Sequence, residues 1–237
     1  MGDALKTISE DVVLCRACPR LVAWREQVAR VKRRAYRDDP YWALPVPGFG
    51  DPRARLVLVG LAPGAHGANR TGRMFTGDAS GDFLYSALHR AGIASQPTSE
   101  RRDDGLSLRG CFITAAARCV PPGNRPTPAE LALCAAFLDR ELAALRPAVV
   151  LALGAIAWET VLGALARAGF GVPRPRPAFA HGAEVALGPP PGRSEPGCFG
   201  LAALASYHVS RQNTQTGRLT ATMFDAVLRR ALALSLP

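Results

Sequence analysis

The chain has 237 residues, 48% of them hydrophobic, and a formal net charge of +10 at pH 7. This length can bury a sizeable core, so we predict one α/β domain spanning residues 1–237. No apolar run reaches the roughly 20 residues of a membrane span, and no segment has the pattern of a secretory leader. We therefore expect a cytoplasmic protein.

The basic side chains are almost all arginine: 27 Arg stand against two Lys. A guanidinium group forms bidentate contacts with planar anions, so this bias favours a polyanion as partner. The chain is also rich in Ala, Pro and Gly, as a GC-rich genome would encode. Charge therefore supports a nucleic-acid partner without establishing one.

Four of the six cysteines have a spacing that suits one metal cluster. A C-x-x-C pair followed by two distant single cysteines is too uneven for a zinc ribbon and fits an iron–sulfur cluster, with zinc as the second candidate. Such a cluster would tie the N-terminal segment 1–50 to the core. Four unrelated buried cysteines are the alternative. The set is Cys15, Cys18, Cys119 and Cys134.

From about residue 55 onward, apolar runs typical of buried strands alternate with helical segments. Helical character is also expected over 9–31, and Thr127 with Glu130 predicts a capping box at the start of one later helix. We expect irregular structure over 40–52 and 171–197, which are rich in Pro and Gly. The strands are predicted at 55–60, 110–117, 148–153 and 202–206, and the helices at 82–91, 128–145, 154–168 and 220–234.

This alternation predicts a three-layer α/β/α fold with a short, mainly parallel central sheet, in which ligands bind beyond the carboxyl ends of the strands. Three unusual loops follow predicted strands. They are the glycine-rich loop 61–81, the P-P-G-N-R-P-T-P loop 121–128 and the Y-H-V-S-R-Q-N-T loop 207–214. The first is neither a Walker A nor a Rossmann sequence, which disfavours nucleotide-triphosphate binding.

One candidate functional side chain stands in each loop. Asp78 could activate water, or it could simply cap the helix that begins near Ser80. Asn124 could act on a ligand or bond its own backbone, and His208 could be functional or structural. The residues alone leave these alternatives open.

The sequence closely resembles the uracil-DNA glycosylase superfamily, and within it the iron–sulfur-containing family 5, or type b, enzymes. The motifs that carry the resemblance are C-R-A-C-P near the start, G-L-A-P-G-A-H-G-A-N-R-T-G-R-M-F-T-G-D-A-S-G at 60–81, A-A-R-C-V-P-P-G-N-R-P-T-P at 116–128, and the loop 207–214. The resemblance implies a monofunctional DNA glycosylase of the bacterial nucleoid that starts base excision repair. It also implies a 4Fe-4S cluster bound by the four cysteines.

The resemblance further implies roles for individual residues. Asp78 would stabilise the sugar cation or orient water, Asn124 would be its polar partner, and His208 would stabilise the departing base. The expected substrate is uracil, hypoxanthine or another deaminated base in double-stranded DNA, bound by a monomer. The implied substrate-binding residues are Gly60, Ala62, Gly64, Phe75 and Ala115, and the implied DNA-binding residues are Arg70, Arg73, Ser210, Arg211, Gln212 and Asn213.

Two other classes of protein remain compatible with the sequence. The hypothesis of a non-catalytic, nucleic-acid-binding protein with an iron–sulfur cluster explains the charge and the cysteines. It gives the glycine-rich loop around Asp78 no function. A redox enzyme is disfavoured because no nucleotide or flavin fingerprint is present.

Overall fold

The computed structural model of the chain describes residues 2–190 and 200–236. Its centre is a six-stranded sheet in the order β1-β3-β2-β4-β6-β5. The four inner strands are parallel, and the two edge strands β1 and β5 are antiparallel to their neighbours. The strands are β1 (Phe49–Gly50), β2 (Leu56–Gly60), β3 (Cys111–Ala115), β4 (Val149–Leu153), β5 (Glu184–Leu187) and β6 (Leu201–Ser206).

Helices cover both faces of this sheet, as the predicted three-layer architecture requires. One apolar core joins one side of the strands to α4 and α8, and a second core joins the other side to α1, α5 and α6. The helices are α1 (Asp3–Leu14), α2 (Pro19–Val31), α3 (Ala68–Thr71), α4 (Ala79–Arg90), α5 (Pro128–Leu145), α6 (Ala155–Arg167), α7 (Arg211–Gln215) and α8 (Ala221–Ser235).

The inner strands are fully buried, which explains why they read as continuous apolar runs in the sequence. Helix α5 has the predicted bounds because Thr127 Oγ1 accepts a hydrogen bond from the Glu130 N–H while the Glu130 carboxylate accepts one from the Thr127 N–H. Among the described residues, no helix combines the length and apolar character needed to cross a membrane.

The N-terminal segment differs from the helical stretch expected over 9–31. It forms two helices, and the C-x-x-C motif is the non-helical connection between them. Pro19 starts α2, because proline lacks the N–H that a helix interior needs but fits the first helical position. Leu5, Ile8 and Val12 of α1 belong to the core formed with α5. Apolar packing therefore joins α1 to the sheet domain.

Candidate active site and cysteine cluster

The glycine-rich loop leaves the carboxyl end of β2 and turns sharply at Phe75, whose φ of 52° lies in the left-handed region. A Cβ added to Gly60, the last residue of β2, would stand 2.7 Å from Cζ of Phe75. The aromatic ring therefore lies against the Gly60 backbone, where only glycine leaves room for it. Ala115 ends the neighbouring strand β3 and is buried beside this position.

Asp78 does cap a helix, but this uses only one of its two carboxylate oxygens. Oδ1 accepts hydrogen bonds from the backbone N–H groups of Ser80 and Gly81, at 3.0 and 3.1 Å. Oδ2 has no hydrogen-bond partner among the described residues, and it lies 2.7 Å from where a Cβ on Gly64 would stand. The capping and functional interpretations are therefore compatible, because capping leaves Oδ2 available.

Burial raises the pKa of Asp78, although the N–H groups of Gly81 and Ser80 oppose this by stabilising the charged form. Asp78 also lines a cavity of about 400 Å³, together with Tyr36, Arg70 and Glu100; Phe75 and His208 are not among its lining residues. Asp78 thus combines a desolvated carboxylate with access to an open space, which suits a group that acts on water or on a developing positive charge.

His208 is the second residue after β6 and lies near Phe75, with the two ring centroids 6.3 Å apart. Burial lowers the pKa of His208 to about 4, so its imidazole is neutral at pH 7. Its backbone oxygen accepts a hydrogen bond of 2.8 Å from Asn213 Nδ2. Gly154, at the end of β4, leaves room for it, since a Cβ there would stand 3.3 Å from His208 Cβ.

The segment after residue 171 supports the rim beside His208, a role for which the sequence showed no signal. The His181 and Tyr207 rings stack with centroids 5.1 Å apart, and the Tyr207 N–H donates to His181 Nδ1 at 3.2 Å. Trp158 Nε1 donates to the carbonyl of Pro177 at 2.8 Å, which fixes the same segment to α6. Cys198, a cysteine outside the predicted cluster that we expected to be a packing residue, lies outside the described residues.

Asn124 is exposed in a 3₁₀ turn, and its backbone N–H donates to the Pro121 carbonyl at 3.1 Å. Within residues 2–190 and 200–236, no hydrogen bond connects its side chain with Asp78 or His208. The structure therefore places Asp78 and Phe75 in the same loop, and Phe75 lies close to His208. The role of Asn124 stays a prediction. Ala62 and Gly64 are half-buried in the first loop.

The structure does not fit a phosphate-contacting role for Arg73. Its side chain is 3% exposed and forms a bidentate pair with Asp104, at 2.8 and 2.7 Å. Its remaining donors reach Thr76 Oγ1, Ser99 Oγ and the Arg102 carbonyl. All five N–H groups of this guanidinium are therefore used within the protein. Arg73 stabilises the loop and has no N–H group left for a phosphate.

Arg70 is also held by contacts within the protein, although fewer than those of Arg73. Its guanidinium group donates to the His66 carbonyl, Asp39 Oδ2 and the Gly77 carbonyl, at 2.8, 2.6 and 3.0 Å. It also lies over the Tyr36 ring, 4.0 Å from the centroid. These contacts fix the turn around Gly77, next to Asp78, and use three of the five N–H groups of the guanidinium, so the role of Arg70 in phosphate binding stays a prediction.

The loop after β6 remains suited to a nucleic-acid backbone. Ser210 caps the short helix α7 by accepting from the Asn213 N–H at 3.5 Å, and Arg211 and Gln212 are exposed. Asn213 is half-buried and holds the His208 carbonyl, so its side-chain amide supports the site from within. Arg211 and Gln212 are thus the side chains of this loop that are free to reach a phosphate.

Members of the predicted cluster come from three parts of the chain, and Arg25 connects two of them: its Nη1 lies close to both the Cys119 Sγ and the Cys15 carbonyl oxygen. Burial raises the pKa of the Cys18, Cys119 and Cys134 thiols, that of Cys119 to about 11, and each is raised further by neighbouring cysteines of the set, including Cys15. Cys119 and Cys134 are buried, whereas Cys15 and Cys18 are partly exposed. In the described ranges, no group of three or more His, Cys, Asp or Glu side chains has an arrangement that would hold a metal ion.

The surroundings of these thiols fit a negatively charged group. Arg25 Nη1 lies 3.2 Å from Cys119 Sγ, and the backbone N–H of Arg118 donates to Cys134 Sγ at 3.3 Å. Both guanidinium groups are buried, and each has two nitrogens without a partner in the part of the chain that the structure describes. Four soft thiolate donors beside two under-paired cations suit an iron–sulfur cluster. Sequence reasoning missed both arginines, since nothing in their spacing marks them.

Comparison with known proteins identifies the family. The sequence profile of the uracil-DNA glycosylase superfamily matches residues 47–232, and the chain belongs to this superfamily. It is 55% identical to the type-5 uracil-DNA glycosylase of Thermus thermophilus, over 95% of this chain and 96% of the relative. The type-5 enzymes of Mycobacterium bovis and Pyrobaculum aerophilum are 50% and 46% identical, each over 94% of this chain and over 79% and 89% of the relatives.

Proposed function

We propose that the chain is a DNA glycosylase that hydrolyses the N-glycosidic bond of uracil and so begins base excision repair. The observation that carries this proposal is the free Oδ2 of Asp78, the unpaired oxygen of a partly buried carboxylate in the same glycine-rich loop as Phe75. Phe75 in turn lies beside the neutral imidazole of His208. Membership of the superfamily and similarity to type-5 uracil-DNA glycosylases support the same reaction.

The chemistry requires one group for each developing charge. As the bond between C1′ of the deoxyribose and the base nitrogen breaks, its electron pair leaves with the base and the sugar becomes cationic. A carboxylate near C1′ stabilises that cation and orients the water that adds to it. Asp78 suits this task because Oδ1 is fixed by the start of α4 while Oδ2 is free of such bonds.

His208 supplies the complementary interaction at the base. Because its pKa is lowered to about 4, it acts at neutral pH as an uncharged hydrogen-bond donor, not as an acid. A donor at the base oxygen stabilises negative charge that is present only after the bond begins to break, which lowers the barrier. The water proton finally resides on the released base or in solvent. Asn124 is proposed as an additional polar partner that DNA binding brings closer.

The target base must leave the duplex before this chemistry can occur. We propose that Phe75, one face of which lies against the Gly60 backbone beside Ala115, stacks on the extruded base with its other face. The strand that ends at Ala115 offers no amide side chain there to read uracil, so the pocket is expected to accept hypoxanthine and other deaminated bases. Double-stranded DNA bound by a single copy of the chain is the proposed working complex, with Arg211 and Gln212 at the phosphates.

We also propose that a 4Fe-4S cluster is held by the four cysteines and serves the fold. When bound, it would supply rigid cross-links and charge, because hydrolysis of a glycosidic bond moves no electrons. A brown protein that absorbs near roughly 400 nm would support iron over zinc. Iron and sulfide should then be present in equal amounts, and a colourless protein containing zinc would contradict the proposal.

A strand-cleavage assay tests the activity. The purified protein is incubated with a labelled duplex that contains one uracil, then with alkali, which breaks the strand at an abasic site. We expect cleavage at the uracil and none in the matched duplex with thymine. Binding to the uracil duplex without cleavage would favour the non-catalytic alternative, and a parallel hypoxanthine duplex tests the breadth of substrate.

A further inference from the structure

Arg25 is a buried cation with no carboxylate partner among the described residues. It lies on α2 with 0% exposure, and its one side-chain contact with a charged or ionisable group is between Nη1 and Cys119 Sγ, at 3.2 Å. Nη1 also lies 3.5 Å from the Cys15 carbonyl, but Nε and Nη2 have no partner in the described ranges. Burying a charged group in this way is costly unless a counter-charge occupies the site.

Arg118 shows that the shortage of partners is a property of the region. Its Nη2 pairs with the buried Glu141 carboxylate, yet its Nε and Nη1 also lack partners within the described structure. Its backbone N–H donates to Cys134 Sγ. The two arginines thus flank the two buried cysteines, and more positive charge is present there than the protein's own carboxylates balance.

We infer that Arg25 is a positioning residue that supplies the counter-charge of the group held by the four cysteines. This inference rests on the proposed iron–sulfur cluster, which carries a net negative charge when four thiolates bind it. A guanidinium group fits this role because it stays protonated and can direct several N–H donors at sulfur atoms. Hydrogen bonds to ligating sulfur tune such clusters and help to retain them.

Arg25 also contacts the glycine-rich loop through its backbone. The Arg25 carbonyl accepts a hydrogen bond from Asn69 Nδ2 at 3.4 Å, and the Asn69 N–H donates to the Gly64 carbonyl at 3.0 Å. Gly64 in turn borders Oδ2 of Asp78. One residue therefore connects the cysteine set with the loop that positions the carboxylate, so its displacement on cluster loss would reach the candidate active site.

The test exploits the opposite effects that Arg25→Met should have on two forms of the protein. With iron bound, the variant should release iron to a chelator about tenfold faster than wild type, as removal of a supporting hydrogen bond typically causes. After iron is removed, the same variant should melt at a higher temperature than wild type, because no uncompensated cation remains buried. A residue that only fills space would shift both forms in the same direction.

Two further variants sharpen the result. Arg30→Met makes the same change at an exposed position of α2 and should leave iron release unchanged. Arg25→Lys keeps a positive charge and should retain iron better than Arg25→Met. If the iron-free protein does not fold, the loaded protein still decides, because Arg25→Lys must release iron more slowly than Arg25→Met if the positive charge is what retains the group.

Two outcomes would overturn the inference in distinguishable ways. Iron release at the wild-type rate from Arg25→Met would refute the role of Arg25 and leave the cluster intact as a proposal. A wild-type protein that takes up no iron and sulfide would refute both the cluster and the role of Arg25. Uracil cleavage by the wild-type protein is measured separately, so failure of this inference can be distinguished from failure of the proposed glycosylase activity.

Discussion

The carboxylate of Asp78 fills the space in which any residue other than glycine at position 67 would place its Cβ; an added Cβ there would overlap Oδ2. The cap at Ser80 and Gly81 fixes the other oxygen from the opposite side. The position of the carboxylate is therefore determined by two features, the start of α4 and the absence of a side chain at Gly67.

Gly67→Ala should therefore impair catalysis through Asp78, which remains chemically unchanged. The added methyl group must push the carboxylate away from its position, and a displacement of about 1 Å can reduce a rate by roughly 100-fold. The assay is cleavage of the uracil duplex under single-turnover conditions. Gly188→Ala, where an added Cβ meets nothing within 4 Å, is the matched control. Equal rates for both variants would show that Oδ2 is not needed where the structure places it.

Asp78→Asn should separate the capping role from the catalytic one. Asn is also a good N-cap, so α4 should be retained, while loss of the negative charge should slow cleavage by about 10² to 10³-fold. Burial raises the pKa of Asp78, which means that the folded state disfavours its charged form. That cost is present at neutral pH, so the variant should melt at a higher temperature than wild type. A lower melting temperature, or an unchanged rate, would contradict this view of Asp78.

The pH dependence of stability should report on His208. Its pKa is about 4 in the folded protein against an ordinary value of 6.5, so between these values the unfolded chain takes up a proton that the folded chain does not. Wild-type stability should accordingly fall as the pH is lowered through this range, and His208→Asn should lose less. Denaturant unfolding of both proteins at several pH values measures the difference. If the stability of the two proteins changed with pH in parallel, the His208 pKa would be the same in the folded and the unfolded chain, and the prediction would be wrong.

The arginines predicted to bind DNA should divide into two groups. Arg211→Met should weaken DNA binding and reduce the slope of its salt dependence by about 0.9 for each phosphate that the side chain no longer neutralises. Arg73→Met should leave that slope unchanged but destabilise the fold by about 3 kcal/mol, because Asp104 would lose its charged partner and keep only backbone N–H groups. Binding titrations at several salt concentrations, below the melting temperature of both variants, distinguish the two. A reduced slope for Arg73→Met would show that Arg73 does contact a phosphate.

The sequence predicted those features that depend on neighbours along the chain. The buried strands, the bounds of α5 and the cap at Asp78 follow from apolar runs and from residues within three positions of each other. The roles of Arg70 and Arg73 could not be predicted in this way, because their carboxylate partners Asp39 and Asp104 are each 31 residues distant. Charge was visible in the sequence, whereas its pairing arises only on folding.

The short edge strand β5 was missed for a related reason. It lies within a segment rich in Pro and Gly that we expected to be irregular, and pairing with β6 imposes its extended conformation. Arg25 was missed because a buried arginine on an amphipathic helix cannot be distinguished from an exposed one by sequence pattern. In both cases the structure depends on a partner that is distant in the sequence: β6 pairs with β5, and Cys119 contacts Arg25.

The two antiparallel edge strands also govern how copies of the chain could meet. β1 has two residues and β5 has four, so each outer border of the sheet offers only a short row of backbone groups to a foreign strand. Long, regular borders invite strand addition and fibrous aggregation, whereas such truncated ones give an incoming strand little to pair with. A sheet with such short edge strands is protected against strand addition by other copies, while the ends of its inner strands stay accessible to a large ligand.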